Sequence, residues 1–303
     1  MAAAAAAALV LGALPGRAQV EYHPPDQKYI GARGAALGDA IASDEYNIES
    51  MYRNPATLAS LRRAEAVADQ RHDYAEGVFG DDIAARVFAS RAMALGIGLG
   101  ATHAGKLTHG GAFRFTEYDL DAGYAYRFPA ASTNFSIGVL GNLRTARDDS
   151  ASRSAGQVSL GLLYSPAAGT SYSLVYRGLG TGLSYAADPA APGPVTSARV
   201  DHFAKSLEVG STMRYPASST VPFITISIAG EKDLETRFLR LRGGAEYTLA
   251  GILSFRLGYV NAEVWQVRYG LGLSLPWLSV DYAVMPVASA GKFDEITLRI
   301  ALQ

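Results

Sequence analysis

Trp265-Gln266-Val267-Arg268-Tyr269-Gly270-Leu271-Gly272-Leu273-Ser274-Leu275 places a large apolar residue at every second position and a polar or small one between. A period of two sends successive side chains to opposite faces of an extended chain, so this stretch reads as a two-faced strand. The pattern continues on both sides. Ile296, Leu298, Ile300 and Leu302 alternate with Glu295, Thr297, Arg299 and Gln303, and Leu253, Phe255, Leu257 and Tyr259 alternate with Ser254, Arg256 and Gly258. Leu239, Leu241, Ala245 and Tyr247 alternate with Arg240, Arg242 and Glu246. Further upstream, Tyr118, Leu120, Ala122, Tyr124, Tyr126 and Phe128 alternate with Glu117, Asp119, Asp121 and Arg127.

Marking every such segment predicts strands over 63–72, 81–90, 92–103, 113–128, 133–146, 154–165, 170–178, 203–215, 221–231, 235–248, 252–260, 264–275, 277–286 and 293–302, an even fourteen. The connections alternate as well. Those at Ser90-Arg91, Pro129 to Ser132, Pro166 to Gly169, Pro216 to Thr220, Ala250-Gly251 and Pro276 are tight. Those at Asp73 to Gly80, Ala104 to Ala112, Arg147 to Arg153, Leu179 to His202 and Val287 to Lys292 are longer and more polar. Short turns at one end and long loops at the other belong to an outer-membrane barrel, whereas a soluble sandwich has no reason to segregate its loops.

Desolvation then orients the faces. A ring of fourteen strands is too wide for side chains alone to fill, so an apolar interior would stand half empty. Turning the apolar face to lipid and the polar face to a lumen satisfies both solvents, and closure pairs every backbone amide. The fold class expected is therefore all-β: a 14-stranded antiparallel transmembrane barrel in the outer membrane, its first partner the membrane lipid. Tyr126, Phe128, Tyr164, Tyr172, Tyr215, Tyr247, Tyr259, Trp265 and Trp277 lie near strand ends, as interfacial girdles require, although aromatics are also ordinary strand formers.

The amino terminus is different in kind. Ala2 to Leu14 is an uninterrupted apolar run, too short to span a bilayer, and is followed by Pro15, Gly16, Arg17 and Ala18. It reads as an export signal over residues 1–18, with cleavage before Gln19. Residues 19–62 lack the period-two pattern and are rich in small side chains, which points to a plug inside the barrel or across its periplasmic mouth. Residues 63–303 form the barrel. Arg33, Asp39, Asp44 and Glu45 are placed to pair with inward-facing charges of the wall. The acidic row Glu117, Asp119 and Asp121 would repel or bind a cation if left alone, and pairing with lumen arginines such as Arg240, Arg242, Arg256 and Arg268 is the reading favoured here.

Composition narrows the chemistry. The chain has 27 Lys and Arg against 28 Asp and Glu, a net charge of −1 that gives no electrostatic reason to expect nucleic acid. The absence of Cys excludes disulfides, thiolate metal sites and a lipoprotein anchor. Gly96-Ile97-Gly98-Leu99-Gly100-Ala101 lacks the strand-to-helix turn of a dinucleotide fingerprint and instead continues a strand. His23, His72, His103, His109 and His202 show no metal-ligating spacing, and Ser159 and Ser274 fall in mid-strand without a nucleophile elbow. No enzyme, cofactor or metal is expected.

One series remains. Gly31-Ala32-Arg33, Leu37-Gly38-Asp39-Ala40 and Asn54-Pro55-Ala56-Thr57-Leu58-Ala59 resemble the amino-terminal signature of the PorV/PorQ proteins, relatives of the FadL-type hydrophobic-compound transporters. Gly244-Ala245-Glu246-Tyr247, Arg256-Leu257-Gly258-Tyr259, Gly270-Leu271-Gly272-Leu273 and Asp281-Tyr282-Ala283 are similar too. The resemblance implies a fourteen-stranded barrel with a plug and a role in type IX secretion, with secretion-system proteins and secreted cargo as partners. The chain departs from that pattern in its short loops and in ending on Gln303 rather than an aromatic residue. Two other readings stay open: a FadL-like channel passing small hydrophobic molecules through a lateral opening, for which a kink near Gly178-Leu179-Gly180-Thr181-Gly182 is the candidate, and a structural barrel with no transport role.

Overall fold

The computed structural model describes residues 31–45, 47–61, 64–74, 77–104, 115–128, 134–147, 152–181, 183–185, 199–201, 205–217, 223–235, 238–261, 265–287 and 291–302. The signal expected over 1–18, the start of the plug, His23, His109, His202 and Gln303 lie outside the described residues. No helix among the described residues is long and apolar enough to cross a membrane.

Fourteen antiparallel strands close into a barrel. They are β1 (Ala64–Asp73), β2 (Val78–Ala89), β3 (Met93–Ala104), β4 (Phe115–Phe128), β5 (Asn134–Arg147), β6 (Ser152–Ala167) and β7 (Thr170–Gly180), then β10 (Ser206–Tyr215), β11 (Ile224–Asp233), β12 (Leu239–Leu249), β13 (Leu253–Asn261), β14 (Trp265–Ser274), β15 (Leu278–Val287) and β16 (Gly291–Leu302). β1 pairs with β16 from Ala64 opposite Leu302 to Asp73 opposite Phe293, so the sheet has no edge. The intervening β8 (Leu183–Tyr185) and β9 (Arg199–Asp201) form a separate two-stranded ribbon. This corrects the sequence reading, which took Leu179 to His202 as plain loop: three-residue strands are too short for a periodicity to register.

The side chains divide as desolvation requires. Leu257, Val209 and Ile83 are more than half exposed at the outer wall, while Asp281 and Glu208 are fully buried and Arg242 nearly so. Exposed Phe128, Tyr164, Tyr215, Phe223, Tyr247 and Trp277 lie near the tight-turn end, and Tyr74, Phe79 and Tyr118 near the loop end. From Tyr118 to Phe128 along β4 is about ten residues at ~3.3 Å each, which at the usual barrel tilt gives an apolar band roughly 25 Å tall. That matches the hydrocarbon thickness such barrels span. The side chain of Trp265 is outside the described set.

Within the ring lie residues 31–45 and 47–61. They comprise a helical turn, Ala32–Ala36, and two 3-10 turns, Ile48–Tyr52 and Pro55–Ser60. The helical turn packs on β13 to β16, the first 3-10 turn on β1 and β2, and the second on β3 to β6. Asn54 starts the second: its side-chain oxygen accepts from the Ala56 N–H at 3.0 Å, and Pro55 occupies the first helical position, where no donor is needed.

Candidate functional site

The plug has an ionic side and an apolar side. On the ionic side, Gly31 donates its N–H to Glu295 Oε1 at 2.8 Å, and Ala32 donates to Thr297 Oγ1 at 2.7 Å. Arg33 pairs with Asp44 of the plug and, through Nε at 3.0 Å and Nη2 at 3.2 Å, with Glu246 of β12. Gly38 and Asp39 both have left-handed backbone conformations, φ 66° and 60°. At Gly38 a Cβ would lie 2.6 Å from the carbonyl oxygen of Tyr259, so only glycine allows this approach to the wall. The reversal aims Asp39 at Arg268 of β14, 2.6 Å away, and at Arg53, 3.3 Å away. Burial alone would raise the Asp39 carboxyl, but Arg53, Arg268 and Arg242 outweigh it and hold the group below its ordinary range. Asp44 and Glu45 meet Arg214 of β10 at 2.8 and 3.4 Å.

The apolar side lies within residues 48–61, beside the buried Glu49 and Arg53. Ile48, Met51, Tyr52, Leu58 and Leu61 form one cluster with Val67, Ala84, Ala94, Ala125 and Leu140 on the inner wall of β1 to β5. The wall makes room with glycines. A Cβ on Gly96 or Gly123 would press on Leu58 at 2.9 or 2.8 Å, one on Gly98 would overlap the Tyr52 hydroxyl, and one on Gly138 would overlap the Pro55–Ala56 peptide. Asn54 lies against Gly161 and donates from Nδ2 to the carbonyls of Ala42 and Leu162 at 2.8 and 3.0 Å. On the other wall, Gly244 and Gly258 receive Leu37 and Gly38, and Gly270 receives Ala36. Gly96 and Gly98 of β3 and Gly270 of β14 are thus seats for the plug, whereas a Cβ on Gly272 would meet Asp281 and Arg256 of the wall.

All eight residues of the plug motif, Gly31, Ala32, Arg33, Gly38, Asp39, Asn54, Pro55 and Ala56, are buried in this interface. The lumen-facing charges do not pair as expected. Glu117 and Asp119 meet Arg144, at 3.2 and 3.0 Å, and Asn142 donates to both Asp119 and Asp121 at 3.1 and 2.8 Å. Arg144 stands directly opposite Asp119 in the β4–β5 register. Arg240 and Arg242 instead pair with Glu231, Arg256 with Glu246 and Asp281, and Arg268 with Asp39. The correction is geometric: the acidic row on β4 finds its cation on the adjacent strand, while β12 to β14 lie elsewhere in the ring with acids of their own. Sequence reasoning missed Arg144, Arg177, Arg214, Glu208 and Glu231. Each occupies a polar position of an alternating strand, and that was the available signal.

β7 is irregular beside the plug. Val158 pairs with Leu179 and Leu160 with Tyr176, so Arg177 and Gly178 together face the single residue Ser159. That is a bulge, with Gly178 at φ 88° and two consecutive residues turned inward. On its other edge β7 pairs with β10 as far as Arg177 opposite Ser206, and among the described residues the ladder stops there. Arg177 donates to the carbonyl of Arg53 in the plug and pairs with Glu208 at 2.7 Å.

His103 is exposed on the outer wall with its ring 6.4 Å from that of Tyr118. Among the described residues no group of His, Asp or Glu is arranged to hold a metal ion.

Neither a protein-family model nor a curated protein sequence matches the chain. Solved structures do. The toluene transporter TodX of Pseudomonas putida superposes with a TM-score of 0.61 at 13% identity, over 91% of this chain and 98% of that one. A FadL homologue of Pseudomonas aeruginosa superposes with a TM-score of 0.58 at 9% identity, over 90% and 98% of the two chains. At these identities the likeness is one of fold, and the fold is the fourteen-stranded outer-membrane barrel of the FadL type.

Proposed function

We propose that the protein is an outer-membrane channel for small hydrophobic compounds. The observation that carries the reading is the bulge in β7: the β6–β7 ladder is irregular at Gly178, the β7–β10 ladder ends at Arg177 among the described residues, and Arg177 touches the plug inside the ring. A molecule arriving from the loop end would then leave sideways into lipid, which suits an apolar solute and not a polar one. Val67, Ala84, Ala94, Ala125 and Leu140 give the inner wall of β1 to β5 an apolar patch against the plug, beside its row of charges, and this patch supports the same solute class. The neighbours in fold, a toluene transporter and a FadL homologue, favour it as well. The secretion role that the sequence resemblance implies has no counterpart among them.

Reconstitution tests it. Proteoliposomes containing the folded barrel are expected to take up a labelled monoaromatic hydrocarbon faster than protein-free vesicles, and to leave a sugar of similar size outside. Equal uptake with and without protein would remove the reading.

A further inference from the structure

We propose that Glu295, which accepts the Gly31 N–H, and Glu49, whose carboxyl lies against Gly31, form a proton-operated catch for the amino-terminal end of the plug, closed when Glu49 carries a proton and loosened when it ionises.

The geometry comes first. Glu295 Oε1 accepts the Gly31 N–H at 2.8 Å, and the Glu49 carboxyl fills the space where a Gly31 side chain would begin. Glu49 Oε2 accepts from Asn47 Nδ2 at 3.2 Å, but Glu49 Oε1 is buried without a hydrogen-bond partner. The Glu49 and Glu295 side chains are essentially inaccessible to solvent. A fully buried carboxyl with an orphaned oxygen is costly as an anion, and a proton on Glu49 removes that cost.

The surroundings do not supply enough positive charge. From β16 the site is faced by Glu295 and Arg299, from β15 by Asp281, from β1 by Asp69 and Glu65, and from the plug by Arg33. Arg299 is held by Asp281 at 2.8 Å, and Arg33 by Asp44 and Glu246. Asp69 lies beside Glu295 and receives the hydroxyl of Thr297. Burial, followed by the carboxylates of Asp281 and Glu295, pushes the Glu49 carboxyl up to about 8 against the pull of Arg299 and Arg33. In a released plug the group would titrate near its ordinary 4.5. The docked state therefore holds the extra proton, so the Glu49 contribution to docking is complete below that ordinary value. It weakens by up to about tenfold per pH unit as the pH rises toward the raised value, and levels off above it.

The test is amide hydrogen exchange of residues 31–36 in the full-length folded barrel between pH 5 and 9, corrected for the intrinsic exchange rate. Protection in the wild type is expected to fall with pH and flatten at the alkaline end, while Glu49→Gln remains protected throughout. A wild type with flat protection, or a Glu49→Gln variant with the wild-type slope, would overturn the proposal. If Glu49→Gln does not give a folded, heat-modifiable barrel, Glu295→Gln serves: removing the facing charge is expected to shift the transition to lower pH, and an unshifted transition counts against the catch. The readout involves no transported molecule, so it stands or falls separately from the channel reading.

Discussion

Arg33 of the plug and Glu246 of the wall meet through two hydrogen bonds, and Glu246 is shared with Arg256 at 2.5 Å. One carboxylate thus neutralises a guanidinium from each side of the plug–barrel interface, and all three groups are buried. Glu246→Ala leaves both arginines short of charge, and breaking such a pair costs on the order of 3–5 kcal/mol. Because the barrel keeps its strand ladder, the loss is expected in plug docking. Limited proteolysis within 31–61 should accelerate, and planar bilayers should show open-channel current, while the heat-modifiable gel shift persists.

The glycine seats make a steric prediction. Gly138→Val drives a side chain into the Pro55–Ala56 peptide, whereas a Cβ on Gly141 would find its nearest neighbour, the Ala122 carbonyl oxygen, at 3.9 Å. Overpacking of this kind costs about 1–3 kcal/mol, and here the yielding partner is the plug. Gly138→Val is expected to expose the plug to protease, and Gly141→Ala to leave it protected. Equal protection in both variants would show that the plug is not seated on β5.

The barrel was legible in the sequence because two solvents write on alternate residues of every strand. Lipid leaves Leu253, Phe255, Leu257 and Tyr259 on one face of β13, and the lumen leaves Ser254, Arg256 and Gly258 on the other. The partners inside were not legible, since a period of two gives the face of Asp119 and not the register that sets Arg144 opposite it. Gly138 and Gly161 looked like ordinary strand glycines, and their purpose depends on a plug folded from residues some eighty to a hundred positions upstream. Glu49 carried no signal at all: a lone acid in an aperiodic segment becomes notable only when Glu295, from the far end of the chain, closes on the same glycine.

The outer face predicts a membrane-specific effect. Leu257 lies midway along β13 and is more than half exposed, facing lipid. Leu257→Arg is expected to lower folding stability by about 2–4 kcal/mol, the usual penalty for a cation near the bilayer midplane. Reversible urea titration in lipid vesicles measures it. The same substitution should be tolerated at Tyr247, near the tight-turn end, where the interface solvates the charge.

Acid acts on the plug through Asp44. Burial raises its carboxyl, but Arg33 and Arg214 outweigh that and hold it well below its ordinary value of 3.8. A carboxyl depressed in the docked state contributes docking energy that is complete above the ordinary value and lost as pH falls toward the depressed one. Plug protection is therefore expected to decline below about pH 4. In Asp44→Asn the contribution is missing at every pH, so protection should be lower at pH 6 and show less of the acid decline.

The proposed lateral exit can be tested without touching the plug. Leu179 lies on β7 beyond its last partner on β10, and Lys205 immediately precedes that partner, Ser206, on the other strand. Both are exposed, and the chain has no cysteine of its own. A Leu179→Cys, Lys205→Cys double variant bridged by a short, reductant-cleavable bis-thiol reagent ties β7 to β10 at the bulge. Hydrocarbon uptake into proteoliposomes is expected to drop toward the protein-free rate on bridging and to recover on cleavage, while each single variant treated with the same reagent stays active. If the bridged barrel transports at full rate, the solute does not leave between β7 and β10.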